Sequence, residues 1–270
     1  MYAGTTFRQK SGRIAGVHQK IDRVARRNLN KLISGLVHFP SSKEILAFEG
    51  KNGPDSIKYM DPVCDKPWHF IDPMNQEDRD LLTIIDNHMF NLSKALAASD
   101  NIKASFEAAW LAHAIVDGLT PAHHYPLHDK IEELWGKPRH EITGRKTKNI
   151  IKGSGPLDTI AKNWEYYGAG GVMTAHIMFE LGIASAINAD KFKFIEPSVS
   201  DVTRLNLDGF EAVYVYYLQK ISKMKMYDEF CKIGWSRQLA NKARRVLVPD
   251  IIRVVTLAWY QAVINSRTMK

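Results

Sequence analysis

Cysteine is scarce. Cys64 and Cys231 are the only two in 270 residues, too far apart in sequence to suggest a disulfide framework, and they read as free thiols. A glycine-rich phosphate loop, internal repeats and low-complexity tracts are all missing, which excludes a P-loop nucleotide site and a solenoid. Alternating apolar and polar residues are missing too, so nothing argues for a sheet. The opening stretch MYAGTTFRQKSGRIAGV has no apolar run long enough for a signal peptide. No later stretch approaches a transmembrane length without charges. The chain therefore reads as soluble and cytoplasmic, with secretion from a longer precursor left open. Acidic residues are in the minority, 29 against 37 Lys and Arg, a net charge of +8. That excess favours anionic partners such as phosphate esters, nucleic acid or acidic lipid head groups, without choosing among them. Clusters such as Arg23–Arg27 and Lys242–Arg245 read as solvated surface.

What is present is helical periodicity. Apolar residues recur at three- and four-residue steps over 13–37, from Ile14 and Val17 to Leu36, and over 76–98, from Leu81 to Leu96. Further helices are expected at 101–118, 128–135, 157–167, 172–187 and 199–223, and over 236–265 with a break near Pro249. Residues 38–75 are rich in Pro and Gly and read as loop, and a loop of that length inside a compact domain is often functional. Residues 137–155 are basic and punctuated by glycine. They read as an exposed loop able to guide an anionic substrate. The expected fold is all-α, one multi-helix domain over 1–270, with 125–170 as an insertion.

Two helices carry groups that do not belong in an apolar setting. In FEAAWLAHAIVDGLTPAHH, 106–124, His113 and Asp117 stand four apart and so share one helical face. In VMTAHIMFELGIASAI, 172–187, His176 and Glu180 repeat that spacing. A buried carboxylate or imidazole is costly unless it has a partner, and a cation between the two groups answers both problems. Gly118 and Pro121 break the first of these helices, and His123 follows at once, giving His-x3-Asp-x3-Pro-x-His. His128 and Glu132 copy the spacing in charged surroundings, where water can satisfy both. His88, without such a pair, reads as structural. In the loop region, Pro54 fixes the turn before Asp55, and Trp68-His69-Phe70-Ile71-Asp72-Pro73 forms a second distinctive segment. Asp72 reads as a cap of the turn at Pro73.

These strings resemble the zinc-dependent phospholipase C and single-strand-specific nuclease family, all-helical enzymes that cleave phosphate esters with up to three zinc ions. The resemblance covers most of the chain by helix order, but its specific motifs occupy four short patches. It implies zinc ligands at His18, Asp55, His69, His113, Asp117, His123, His176 and Glu180, with Asp117 as a bridge and Asp55 as the group that orients or deprotonates the attacking water. Asp61 competes with Asp55, and His128/Glu132 compete with His176/Glu180. The family's secreted members hold one zinc through the amine and carbonyl of an N-terminal tryptophan. Here no tryptophan precedes His18; the first is Trp68. Two or three zinc ions are expected.

The leading expectation is a zinc-dependent phosphoesterase acting on a phosphate ester or diester, with a phospholipid head group or a nucleotide as substrate. A single-strand nuclease or nucleotidase on the same site is the alternative, with Trp68, Trp164, Tyr166 and Tyr167 as candidate base-stacking rings. A non-catalytic metal-binding helical protein and a metal-free basic nucleic-acid binder are the other classes. The last predicts affinity that falls steeply with salt and ignores chelators.

Overall fold

The computed structural model describes residues 1, 16–33, 38–49, 52–55, 70–125, 127–136 and 150–269. All regular structure among them is helical. The first helix, α1 (Val17–Ile33), buries Val17, Ile21, Val24 and Leu29 on one side. Within the expected loop region lies a short helix, α2 (Ser42–Leu46), started by a capping box in which Ser41 and Glu44 satisfy each other's backbone N–H groups. The next helix, α3 (Asp80–Ala97), begins later than the sequence periodicity suggested. The residues before it are taken up by turns: Asp72 accepts the Met74 N–H at 2.8 Å, and Asp78 accepts the Asp72 N–H at 2.8 Å.

The central helix, α4 (Asn101–Gly118), starts at Asp100, whose side chain accepts the Lys103 N–H at 3.0 Å. It is apolar on nearly all sides and is buried accordingly. It ends at Gly118, where a Cβ would lie 2.1 Å from Tyr214 Oη and 2.4 Å from Leu81 Cδ2; only glycine lets the helix approach its neighbours so closely. A 3-10 turn, Pro121–His124, follows.

Beyond it come α5 (Leu127–Trp135), α6 (Pro156–Tyr167), α7 (Val172–Ile187) and α8 (Val199–Ser222). Leu134, Ile151 and Tyr166 form a small apolar cluster of their own, with Trp135, Val172 and Met173 packed against it. This ties α5, α6 and the start of α7 together apart from the main core. In α8 the backbone leaves helical geometry at Gly209, with φ 81° and ψ 176°, a conformation closed to residues with a Cβ. What the sequence presented as one helix is therefore two segments meeting at a kink.

Helix α9 (Met226–Ile233) escaped the sequence reading, whereas α10 (Arg237–Lys242) opens the helical stretch expected over 236–265. The break expected near Pro249 is a π turn at Ala243–Leu247, after which α11 (Val248–Thr268) runs on. Pro249 has no N–H to give the carbonyl four residues back, and the wider turn absorbs that loss. The last helix is the hub of the core: α11 packs against α1, α3, α4 and α8. Its Trp259 is fully buried and donates Nε1–H to the Ala108 carbonyl at 3.0 Å.

Candidate metal centre

Two buried groups of possible metal ligands meet where α1, α4, the 3-10 turn and α7 converge. The first is His18, His113 and Asp117; the second is His123, His176 and Glu180. Within each group the donor atoms all lie within 4.8 Å of one another. His18 and His113 come from different helices and stack face to face, 4.2 Å between ring centres. Both present Nε2 to Asp117: His18 Nε2 lies 3.2 Å from Oδ1, and His113 Nε2 lies 3.2 Å from Oδ2. One carboxylate thus faces two imidazoles with its two oxygens. On the other side, Glu180 Oε1 lies 3.0 Å from His123 Nε2 and 3.1 Å from His176 Nε2. The groups adjoin, with His123 Nε2 3.9 Å from Asp117 Oδ1.

Local structure explains this convergence. The four-residue spacing stacks His113 over Asp117 on α4 and His176 over Glu180 on α7. After α4, the Thr120 N–H bonds the Asp117 carbonyl and the His123 N–H bonds the Thr120 carbonyl, each at 2.8 Å. These bonds turn His123 back over the end of the helix that carries Asp117. His124 points elsewhere and bonds the Gly118 carbonyl at 3.0 Å. Phe70 stacks on His123 with ring centres 5.3 Å apart, and the Ile71 N–H donates to the His123 carbonyl at 3.2 Å. Asp55 stands at the margin, its side chain 34% exposed and its Oδ1 3.8 Å from His113 Nε2. It is the most accessible acid of the set.

The residue between the two groups is one the sequence did not suggest. The Met1 ammonium forms an ion pair with Asp117, lies 3.1 Å from Glu180 Oε1 and 3.3 Å from His123 Nε2. The Met1 carbonyl accepts from His18 Nε2 at 2.8 Å. Amine and carbonyl of one residue thus lie beside His18, between the two groups. The sequence reading looked for a tryptophan before His18 and found none, but an amine and a carbonyl are backbone groups that need no tryptophan.

Electrostatics follow the geometry. Burial alone would depress the Met1 amine, but Asp117 and Glu180 outweigh it and raise the group to about 10. Burial also works against a charged His113, and the carboxylates of Asp117, Glu49 and Asp55 overcome it, pushing the imidazole well above its ordinary value. His123 goes the other way, to about 4, because burial, reinforced by the nearby Met1 ammonium, defeats the pull of Asp117. Burial drives His124 to about 4 as well. Burial opposes an ionised Glu180, but Met1, His176 and His123 hold it well below the usual carboxylate range.

Two acids behind His113 also escaped the sequence reading. Glu49 Oε1 lies 3.5 Å from His113 Nδ1. Asp22 is close enough to Glu49 and His113 to feel both, and burial followed by the repulsion of Glu49 raises its carboxyl well above the ordinary range. Neither carboxylate makes a hydrogen bond among the described residues, although both are buried. A signal existed for Asp22: it stands four residues after His18, the spacing of the other two pairs. Glu49, in an irregular stretch, offered none.

His88 Nδ1 donates to Glu107 Oε2 at 2.7 Å, away from both groups. Tyr166 is buried in the small apolar cluster, whereas Trp164 is 69% exposed. Asp61, Cys64, Trp68, His69 and the side chain of His128 lie outside the described residues; Glu132 is partly buried on α5. Cys231 is free and exposed. No protein-family model, no curated protein and no solved structure matches the chain.

Proposed function

We propose that this chain is a zinc-dependent phosphoesterase of the phospholipase C-like type. The observation that carries the reading is the placement of Asp117, whose two oxygens face His18 and His113, beside a second buried group of His123, His176 and Glu180. Imidazole nitrogens and carboxylate oxygens are the ordinary protein ligands of zinc. A carboxylate with a different imidazole at each oxygen suits two neighbouring ions better than one. The donor chemistry therefore fits a cluster: His18, Asp117 and the Met1 backbone for one ion, His113, Asp117 and Asp55 for another, and His123, His176 and Glu180 for a third. By the resemblance, His69 joins the second set.

Zinc bound there supplies Lewis acidity, which makes water acidic near neutral pH and offsets charge on phosphoryl oxygens. The side chains do the rest. Asp55, at the exposed margin, accepts a proton from the attacking water and aligns it. The apolar surroundings of α4 and α7 keep competing water away from the ligands, which strengthens every charge interaction inside. Phe70 packs the His123 ring in place.

The test combines metal content with turnover. Protein purified without chelator should carry more than one zinc per chain and hydrolyse a generic phosphodiester or phosphomonoester, with the activity abolished by chelator. Asp117→Asn should lose bound metal and about 100-fold or more of the activity together. Absence of zinc, or an Asp117→Asn enzyme with full activity, defeats the proposal.

A further inference from the structure

Helix α6 turns an apolar side outward. Leu157 is 82% exposed, Ile160 65%, Trp164 69% and Tyr167 43%. At about 100° of rotation per residue, these four fall within an arc of about 80°. Tyr166, on a different side, is the residue that α6 buries. The remaining side is polar and paired: Asp158 with Lys162 at 3.5 Å, and Glu165 with Lys130 at 2.9 Å. The helix thus has a packed side, a charged side and an apolar side facing solvent. Helix α7, on which it packs, adds Ile177 and Met178, each about half exposed. Only two stretches of the described chain are long and apolar enough to suggest a membrane segment, and they differ in burial. The most apolar 18-residue window within 237–268 has a mean hydropathy of 1.4 and is 78% buried; the one within 156–187, which falls on α7, has 1.3 and is 28% buried. The first is the core helix α11 with its lead-in. The second leaves much of α7, the helix beside α6, uncovered.

We propose that the outer face of α6 is an interfacial anchor that seats the protein on an anionic phospholipid surface. The Gly168–Gly171 turn separates α6 from α7, so the pair is not one continuous span. An amphipathic helix with an apolar stripe and an aromatic anchor lies in the plane of the interface. Charge selects lipid over a second copy of the chain. The sequence entering α6, 137–152, holds six Lys and Arg against one Glu. Such a segment is drawn to acidic head groups by about 1 kcal/mol per basic residue near the surface. A chain of net charge +8 repels a second copy of itself and is drawn to an anionic surface. The anchor deepens the phosphoesterase reading and rests on it for the substrate. It lies on the helix packed against α7, which carries His176 and Glu180, so adsorption brings a phosphodiester-rich surface to the neighbourhood of those groups.

The test is cosedimentation of the full chain with vesicles of phosphatidylcholine alone and of an equimolar mixture with phosphatidylglycerol. Partition into the mixed vesicles should exceed that into the neutral ones by about tenfold or more and should weaken with salt. The double variant Leu157→Ser/Trp164→Ser should lower it by about tenfold or more. Val199→Ser, at another exposed apolar position on α8, should leave it unchanged. Both variants should keep the parent's thermal midpoint and its rate on a soluble phosphodiester. Failure of the parent to bind either vesicle, or binding untouched by the double variant, overturns the anchor. So does self-association through Leu157 and Trp164 in a protein that ignores vesicles. Vesicle binding through α6 without hydrolysis of any soluble phosphodiester would instead retire the phosphoesterase reading and leave the anchor standing.

Discussion

A metal ligand is only as good as the group that holds its other side. His113 directs Nε2 toward Asp117 and Asp55 and has Glu49 3.5 Å from Nδ1. A carboxylate behind an imidazole fixes the tautomer, with Nδ1–H toward the acid, and leaves Nε2 as the ligand. Glu49→Gln keeps the shape and removes the charge. It should weaken zinc binding about tenfold, measured by competition with a chromogenic chelator, while the thermal midpoint of the metal-free protein falls little. Unchanged zinc affinity would mean that Glu49 only fills space. The residues legible from sequence and those that were not divide on the same physics. His113/Asp117 and His176/Glu180 announced themselves because a charged pair in an apolar helix has no cheap structural explanation. Glu49 follows the apolar run Ile45–Phe48 but opens a polar, glycine-bearing stretch, Gly50 to Gly53, where an acid needs no explanation at all. Met1 was invisible for another reason: its contacts come from backbone atoms, which carry no side-chain signature.

At the scale of the element, helix starts and breaks decide what periodicity cannot. The second segment of helical pattern begins at Asp80 rather than 76 because the aspartates and asparagine before it bond their own backbone. The start of α8 shows the same force in a measurable form. Asp201 accepts from Ser198 N–H at 2.8 Å, Ser198 Oγ at 2.7 Å and Tyr217 Oη at 2.8 Å. Burial would raise its carboxyl, but the bonds from Ser198 and Tyr217 prevail and hold it below the ordinary range. A carboxyl depressed in the fold adds stability above its unfolded value. That contribution disappears as pH falls through the folded value. The stability gap between the parent and Asp201→Asn should therefore shrink as pH drops from about 5 to about 3. Urea midpoints across that range measure it, and a gap that stays constant would show that Asp201 acts through shape alone. Gly209 and the π turn before Pro249 belong to this scale as well. Each residue was visible in the sequence, but whether it bends, splits or widens a helix depends on the packing around it.

For the whole molecule the question is what balances the acids gathered in its interior. Asp22, Glu49, Asp117 and Glu180 converge on a few buried histidines and one amine. In the metal-free protein, protons supply positive charge, at Met1 raised to about 10 and at His113 raised well above its ordinary value. A cation at the same donors must displace those protons, so binding tightens as pH rises. It also stabilises only the folded chain, since the donors come from α1, α4, the 3-10 turn and α7 and scatter on unfolding. Zinc at 100 times its dissociation constant adds about 2.7 kcal/mol, which in a chain of this size is about 5 °C or more in the thermal midpoint. Chelation should lower the midpoint by about that amount. Zinc should restore it, and the difference should be wider at pH 8 than at pH 6 because fewer protons compete. Differential scanning calorimetry with calcium as the control cation reads this directly, because a hard ion that favours oxygen ligands gains little from imidazole. A midpoint indifferent to zinc at both pH values would mean that the ammonium and the imidazolium already satisfy the buried acids, and that the cluster is an ionic core with no metal to hold.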